Sequence, residues 1–157
     1  MSDFQVRKAK QEDLAILLEF EQGIIGAERP MDPTLAVDPI SYYDISDLIN
    51  SEDAEVIVVE VDAVIIASGY AKIKKALPYL NHEFYSYLGF MYTHPDFRGK
   101  GVNKLIVDEL RKWSFLKGLK EIRLTVYDEN PGAIRAYEKV GFKKHLIEMR
   151  LTDFDDS

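Results

Sequence analysis

The spacing of hydrophobic and polar positions changes period several times along this chain. Phe4–Lys8 alternates as a short opening strand. Within Glu12–Glu21, Leu14, Leu17 and Leu18 recur at the spacing of one helix face. An irregular stretch is expected over Gly23–Pro39, where Gly23, Gly26, Pro30, Pro33 and Pro39 oppose regular helix or central strand. Loops of that length are usually functional or disordered. Ile45–Asn50 predicts a short helix. Glu55–Val61 and Ala63–Lys74, rich in valine and isoleucine, predict adjacent strands with a turn near Asp62. Glu83–Thr93 reads as a long aromatic strand, and the isolated Gly89 inside it predicts a bulge or a close backbone approach.

His94–Arg98 is a turn containing Pro95. From Gly101 to Lys117, Val102, Leu105, Ile106, Leu110, Trp113 and Leu116 form one broad apolar face, and Gly118 closes that helix as a left-handed cap. Glu121–Tyr127 sets Ile122, Leu124 and Val126 against Glu121, Arg123 and Thr125, the pattern of a strand with one polar face. Asn130–Val140 has a capping residue, a proline in its first turn and Gly141 after its end, so it predicts a helix. Phe142–Leu151 predicts a closing strand and Thr152–Ser157 a frayed acidic tail. Strands and helices alternate without repeat or linker, which implies one α/β or mixed α+β domain over residues 1–157.

Composition narrows the chemistry. The absence of cysteine excludes disulfides, thiolate metal ligands and a cysteine nucleophile. The three histidines, His82, His94 and His145, form no metal-binding pattern, so no metal is expected. The most apolar stretch, Val56–Ala67, is interrupted by Glu60 and Asp62 and is too short to span a bilayer. The opening residues lack the apolar core of a signal peptide, and a cytoplasmic protein without membrane attachment is expected. A net charge of −7 disfavours nucleic acid as a partner. From Pro30 to Ala71 there is no lysine or arginine, while Asp32, Asp38, Asp44, Asp47, Glu52, Asp53, Glu55, Glu60 and Asp62 all fall there. That segment either attracts a cationic substrate or is a solvated acidic face.

The most informative segment is Leu88–Leu105, in which a strand ends and a helix begins just after Arg98-Gly99-Lys100-Gly101. The first turn of a helix carries unpaired N–H groups and partial positive charge, and glycines let a large anion approach that backbone. Arg98, Lys100 and Lys104 add full charges in an otherwise acidic chain, which suits a pyrophosphate. The spacing is neither that of a P-loop nor that of a dinucleotide-binding fingerprint.

Arg98-Gly99-Lys100-Gly101-Val102-Asn103 resembles the acetyl-CoA signature of the GNAT superfamily, Arg/Gln-x-x-Gly-x-Gly/Ala, with Asn103 in place of the final small residue. Asn130-Pro131-Gly132-Ala133-Ile134-Arg135-Ala136-Tyr137-Glu138-Lys139-Val140-Gly141-Phe142 resembles the family's Asn-x-x-Ala-x-x-x-Tyr-x-x-x-Gly-Phe helix. Arg7 and Asp13 also stand where the family commonly opens its first strand and helix.

The resemblance implies a mostly antiparallel sheet flanked by helices, with the fourth and fifth strands splayed to admit the pantetheine arm. It implies an N-acetyltransferase that moves an acetyl group from acetyl-CoA directly to a primary amine, on a small molecule or a peptide. A non-catalytic acyl-CoA sensor or interaction module is the alternative on the same fold. Met91, Tyr92 and Thr93 would present backbone groups to the pantetheine, with the Met91 amide polarising the thioester carbonyl. Arg98, Gly99, Lys100, Gly101, Val102, Asn103 and Lys104 would hold the pyrophosphate, and Asn130 and Ala133 would touch the pantetheine. Tyr137 would donate a hydrogen bond or proton to the departing thiolate. Some members carry a glutamate base on the fourth strand; that position here is Tyr87, which leaves Glu28, Glu83 or a chain of waters to accept the amine's proton. Arg29 and Tyr42-Tyr43 could line the acceptor pocket beside Glu28. The family commonly forms homodimers.

Overall fold

The structure is a computed structural model that describes residues 3–153. Its elements are β1 (Gln5–Lys8), α1 (Leu14–Glu28), α2 (Ile45–Asn50), β2 (Ala54–Val61), β3 (Val64–Lys75), β4 (Phe84–Thr93), α3 (Val102–Leu116), β5 (Ile122–Arg123) and α4 (Pro131–Lys139), with single 3-10 turns at Gln11–Asp13, Arg29–Met31 and Pro95–Phe97. The five strands form one sheet in the order β1-β2-β3-β4-β5, antiparallel except for the parallel β4–β5 pair.

Successive side chains of β2 point to opposite faces of the sheet. Val56 and Val58 pack with Leu17, Phe20, Ile45 and Ile49 of α1 and α2. Ile57, Val59 and Val61 pack with Val102, Ile106, Val107 and Leu110 of α3. The sheet is therefore the middle of three layers, and strands buried on both faces read as near-continuous hydrophobic runs. Asp62 and Ala63, at φ +51° and +67°, make the β2–β3 turn, a conformation matched to the twist of a hairpin. Arg7 donates to both carboxylate oxygens of Asp13 (2.9 and 3.0 Å) and to Glu60 (2.8 Å). That network ties β1 to β2 and to the entry of α1.

Three expectations are corrected. Helix α1 does not end at Glu21 but continues through Gly23 and Gly26 to Glu28, so the irregular stretch begins later. Glycine costs a helix interior about 1 kcal/mol, but here packing overrides it. The Tyr92 ring lies against Gly23, where an added Cβ would stand 2.9 Å from Cε1, and stacks on Phe20 at 4.4 Å. The strand expected over Glu121–Tyr127 shrinks to Ile122–Arg123, because β5 meets β4 only at Ser86 and Tyr87 and then departs. No strand forms over Phe142–Leu151 among the described residues; Leu146, Ile147, Met149 and Leu151 are almost fully exposed. An alternating pattern makes a strand only where an edge is available to pair with it. Of the acidic tail, residues 154–157 lie outside the described residues. No helix among the described residues is long and apolar enough to cross a membrane.

Candidate active site

The centre of the site is an irregularity in β4. Opposite it on β3, Tyr70 pairs with Gly89 but Ser68 pairs with Tyr92, so β4 carries one extra residue. Phe90 takes φ +58°, a left-handed conformation that costs a bulky side chain about 1–3 kcal/mol. The insertion also reverses the face on which side chains point. Leu88 packs on the α3 side, whereas Phe90 turns to the α1 side and Met91 returns to α3. Burial of the Phe90 ring against Tyr43, 5.4 Å between centroids, opposes the strain. Gly89 is the close approach rather than the bulge itself: an added Cβ would lie 2.6 Å from the Tyr70 hydroxyl. Phe90 and Met91 have no register partner on β3, and β5 does not reach them on the other side. Beyond Tyr87, then, one edge of β4 faces an open cleft.

At the end of β4 the chain turns through Pro95–Phe97, where the His94 ring accepts from the Asp96 N–H at 3.1 Å, a local structural role. Gly99 and Gly101 sit at φ +77° and +81°, and an added Cβ at either would meet nothing within 4 Å. The N-cap of α3 is Gly101, without a side-chain cap and without an acidic residue in the first turn. An uncapped, exposed helix start flanked by cations is a fitting cradle for a diphosphate.

The three cations are not equivalent. The Arg98 Nε donates to the Thr93 carbonyl at 3.0 Å and so braces the turn. Lys104 is paired with Asp108 at 2.8 Å. Lys100 stands over the Phe97 ring at 5.4 Å and makes no ion pair among the described residues. Val102 is buried in the core, Asn103 half-buried and Lys104 exposed. Only the backbone of Val102 is therefore available to a ligand.

Asn130 caps α4, its side chain accepting from the Ala133 N–H at 3.2 Å. Tyr137 follows on that helix, half-buried, with its ring edge-on to Phe142 at 5.8 Å. Burial, helped by the negative charge of Glu28, pushes the Tyr137 phenol up to about 12, so it is held protonated. Tyr87 is bonded through its hydroxyl to Thr125 at 2.7 Å, with the Lys74 ammonium 4.0 Å from its ring centroid.

Glu28 is the last residue of α1 rather than part of a loop. Burial raises its carboxyl above the ordinary glutamate value, the Tyr42 hydroxyl donating at 2.9 Å partly opposes this, and the charge of Asp32 adds to it. Asp32 accepts first from the Thr34 hydroxyl and from the Thr34 amide at 2.9 Å, then from Tyr127 at 2.9 Å and Arg150 at 3.2 Å, and these bonds hold it well below the usual carboxylate range. Four other acidic residues of that segment serve structure. Asp38 pairs with Arg29, Asp44 caps α2, and Glu55 and Glu60 pair with Lys8 and Arg7. Glu83 immediately precedes β4, eight residues before Met91 and roughly 25 Å from it at the rise of a strand. It is too far away to act as base at the bulge.

One further residue belongs here. Glu21 is 1% exposed, and its Oε2 accepts from the N–H groups of Tyr42 (2.7 Å) and Tyr43 (2.8 Å). It anchors the segment that carries Tyr42 to Glu28. Its signal in the sequence was a charge placed four residues after Leu17 on the apolar stripe of α1.

Fold and site together define an acyltransferase-type α/β domain with a splayed β4–β5 cleft. The model of the acetyltransferase (GNAT) family matches residues 22–142, and the chain belongs to that family. An acetyltransferase of Pectobacterium atrosepticum is 36% identical over 72 residues, 41% of this chain and 49% of that protein. An uncharacterised N-acetyltransferase of Methanocaldococcus jannaschii is 32% identical over 57 residues, 36% of this chain and 25% of that protein. The matched regions thus span half or less of those relatives. Among solved structures, a predicted acetyltransferase of Clostridium acetobutylicum with acetyl-CoA superposes with TM-score 0.73 at 19% identity, covering 96% of each chain. A mutant of a Bacillus halodurans protein superposes with TM-score 0.82 at 20% identity, covering 94% of this chain and 99% of the other. At such identities these structures establish the fold.

Proposed function

We propose that this chain transfers the acetyl group of acetyl-CoA to a primary amine by direct attack in a ternary complex. The observation that carries the reading is the bulge at Phe90–Met91, whose backbone has no register partner and borders the open cleft of a GNAT fold. The relatives named as acetyltransferases and the solved structure with acetyl-CoA support the same co-substrate.

When bound, acetyl-CoA supplies an activated acetyl thioester. The uncapped start of α3, Gly99, Gly101 and Lys100 would hold its diphosphate. The Met91 N–H would stabilise negative charge developing on the carbonyl oxygen, the kind of interaction that contributes most in acyl transfer. Glu28, with its raised affinity for protons, would accept the proton lost by the attacking amine, directly or through water. Tyr137 would donate a hydrogen bond to the leaving sulfur. Full proton transfer from a phenol held at about 12 to a thiolate of about 8.5 is uphill by roughly 5 kcal/mol. Hydrogen bonding is therefore its main contribution. The tyrosines and carboxylates around Glu28 favour a cationic acceptor.

The test is an amine screen that detects released CoA, run beside Tyr137→Phe. Tyr137→Phe is expected to lower kcat about 100-fold with little change in the KM for acetyl-CoA. Unchanged turnover would remove Tyr137 from the mechanism, and no release with any amine, while CoA binds, would favour a sensor.

A further inference from the structure

Ser68 lies on β3 and is 0% exposed. Its neighbours Ala67 and Gly69 face α3: Ala67 belongs to that core, and a Cβ at Gly69 would strike Met91 and Ile106. Ser68 therefore faces the other way, toward the side where Phe90 is buried. A hydroxyl enclosed so completely must find a partner inside the protein. Its partner is the carbonyl oxygen of Phe90, to which it donates at 3.1 Å across 22 residues of sequence. Ser68 is also the last residue in register before β4 bulges.

The Phe90 carbonyl and the Met91 N–H belong to one peptide unit. That unit is trans, so the two groups point in opposite directions. A hydroxyl on β3 that holds the carbonyl toward β3 turns the N–H toward the open edge of β4. The same bond draws electron density onto the carbonyl oxygen, which makes the N–H a stronger donor. Without it, the bulge would keep its extra residue but the peptide plane would be free to rotate.

We propose that Ser68 is a positioning residue for acetyl transfer: by gripping the Phe90 carbonyl it aims the Met91 N–H at the thioester carbonyl of acetyl-CoA. This rests on the reading above, in which Met91 supplies that donor.

The test needs no acceptor amine. Acetyl-CoA carrying ¹³C in the thioester carbonyl is bound to the protein, and its carbonyl stretch is read by isotope-edited infrared difference spectroscopy. In the wild type the band is expected below its position in free acetyl-CoA. In Ser68→Ala and in the similar-sized Ser68→Cys, at least half of that displacement is expected to vanish. The Kd for CoA, which lacks the carbonyl, should stay within about threefold. A purely structural serine would leave the band of a folded variant where the wild type has it, and that result overturns the proposal. Bound acetyl-CoA with an undisplaced band in the wild type would fail earlier, rejecting Met91 as the donor and the proposal with it. Should both variants fail to fold, the wild type decides. A slowly exchanging Ser68 hydroxyl proton in its NMR spectrum is expected, and its absence rejects the grip.

Discussion

Replacing Glu21 by alanine removes one carboxylate that two backbone N–H groups share. The accepting oxygen lies 2.7 Å from the nitrogen of Tyr42 and 2.8 Å from that of Tyr43, and the residue is 1% exposed, so bulk water cannot take its place. A hydrogen bond to a charged acceptor contributes about 1.5–3 kcal/mol, and a buried donor left unpaired costs about 1–3 kcal/mol. Two bonds to one oxygen do not add fully, and losing the buried charge offsets part of the loss. A net destabilisation of about 3 kcal/mol follows. For a chain of this length each kcal/mol lowers Tm by about 2–4 °C, so the expected fall is about 6–12 °C. Glu21→Gln keeps the shape and one carbonyl acceptor and should lose only about 1 kcal/mol. Calorimetry together with urea titration measures both. A loss below about 1 kcal/mol in the alanine variant, or equal losses in the two, would refute the reasoning. Because the same bonds hold Tyr42 at Glu28, the glutamine variant should also raise the acceptor KM without moving that for acetyl-CoA.

Three further predictions follow from local geometry. Lys100→Ala should weaken CoA binding about 3–5-fold and Lys104→Ala less than about 2-fold, since Lys104 is already paired with Asp108; titration calorimetry that finds the reverse order would contradict the site. Burial raises the Glu28 carboxyl in the folded chain, so the native state binds that proton more tightly than the unfolded one. Stability should therefore fall as pH climbs from the ordinary glutamate value through the raised one, and Glu28→Gln should flatten this window in urea titrations. Gly26→Ala, with nothing within 4 Å of the new Cβ, should stabilise α1 by about 0.5–1 kcal/mol. Gly23→Ala must displace the Tyr92 ring and should destabilise by about 1 kcal/mol; equal effects in chemical denaturation would mean that α1 does not meet Tyr92 in this way.

Much of this protein could be read before any coordinate was known, because local chemistry decides it. The valine- and isoleucine-rich run of β2, the helix that Gly101 opens and the Asn130 cap with Pro131 all depend on residues adjacent in sequence. Local patterns reached their limit where a partner from elsewhere decides the outcome. Gly23 and Gly26 looked like the start of a loop, yet α1 continues because the Tyr92 ring packs on it from β4. Glu121–Tyr127 and Phe142–Leu151 had the alternation of strands, but pairing to β4 extends over only two residues of the first and no pairing forms in the second.

The same division runs through the candidate site. The residues proposed to hold the cofactor lie on three short stretches of sequence, 91–93, 98–104 and 130–137. The bulge at Phe90, the Ser68 bond beneath it, and the buried link from Glu21 through Tyr42 to Glu28 join positions 14 to 22 residues apart. No periodicity encodes such contacts. They arise when folding removes polar groups from water and obliges each to find a partner within reach. The chain's order of residues thus determined which elements form and where an anion could bind. The tertiary structure alone decided that Glu28 meets the Tyr42 hydroxyl and that the backbone of Phe90 and Met91 is left without a strand partner.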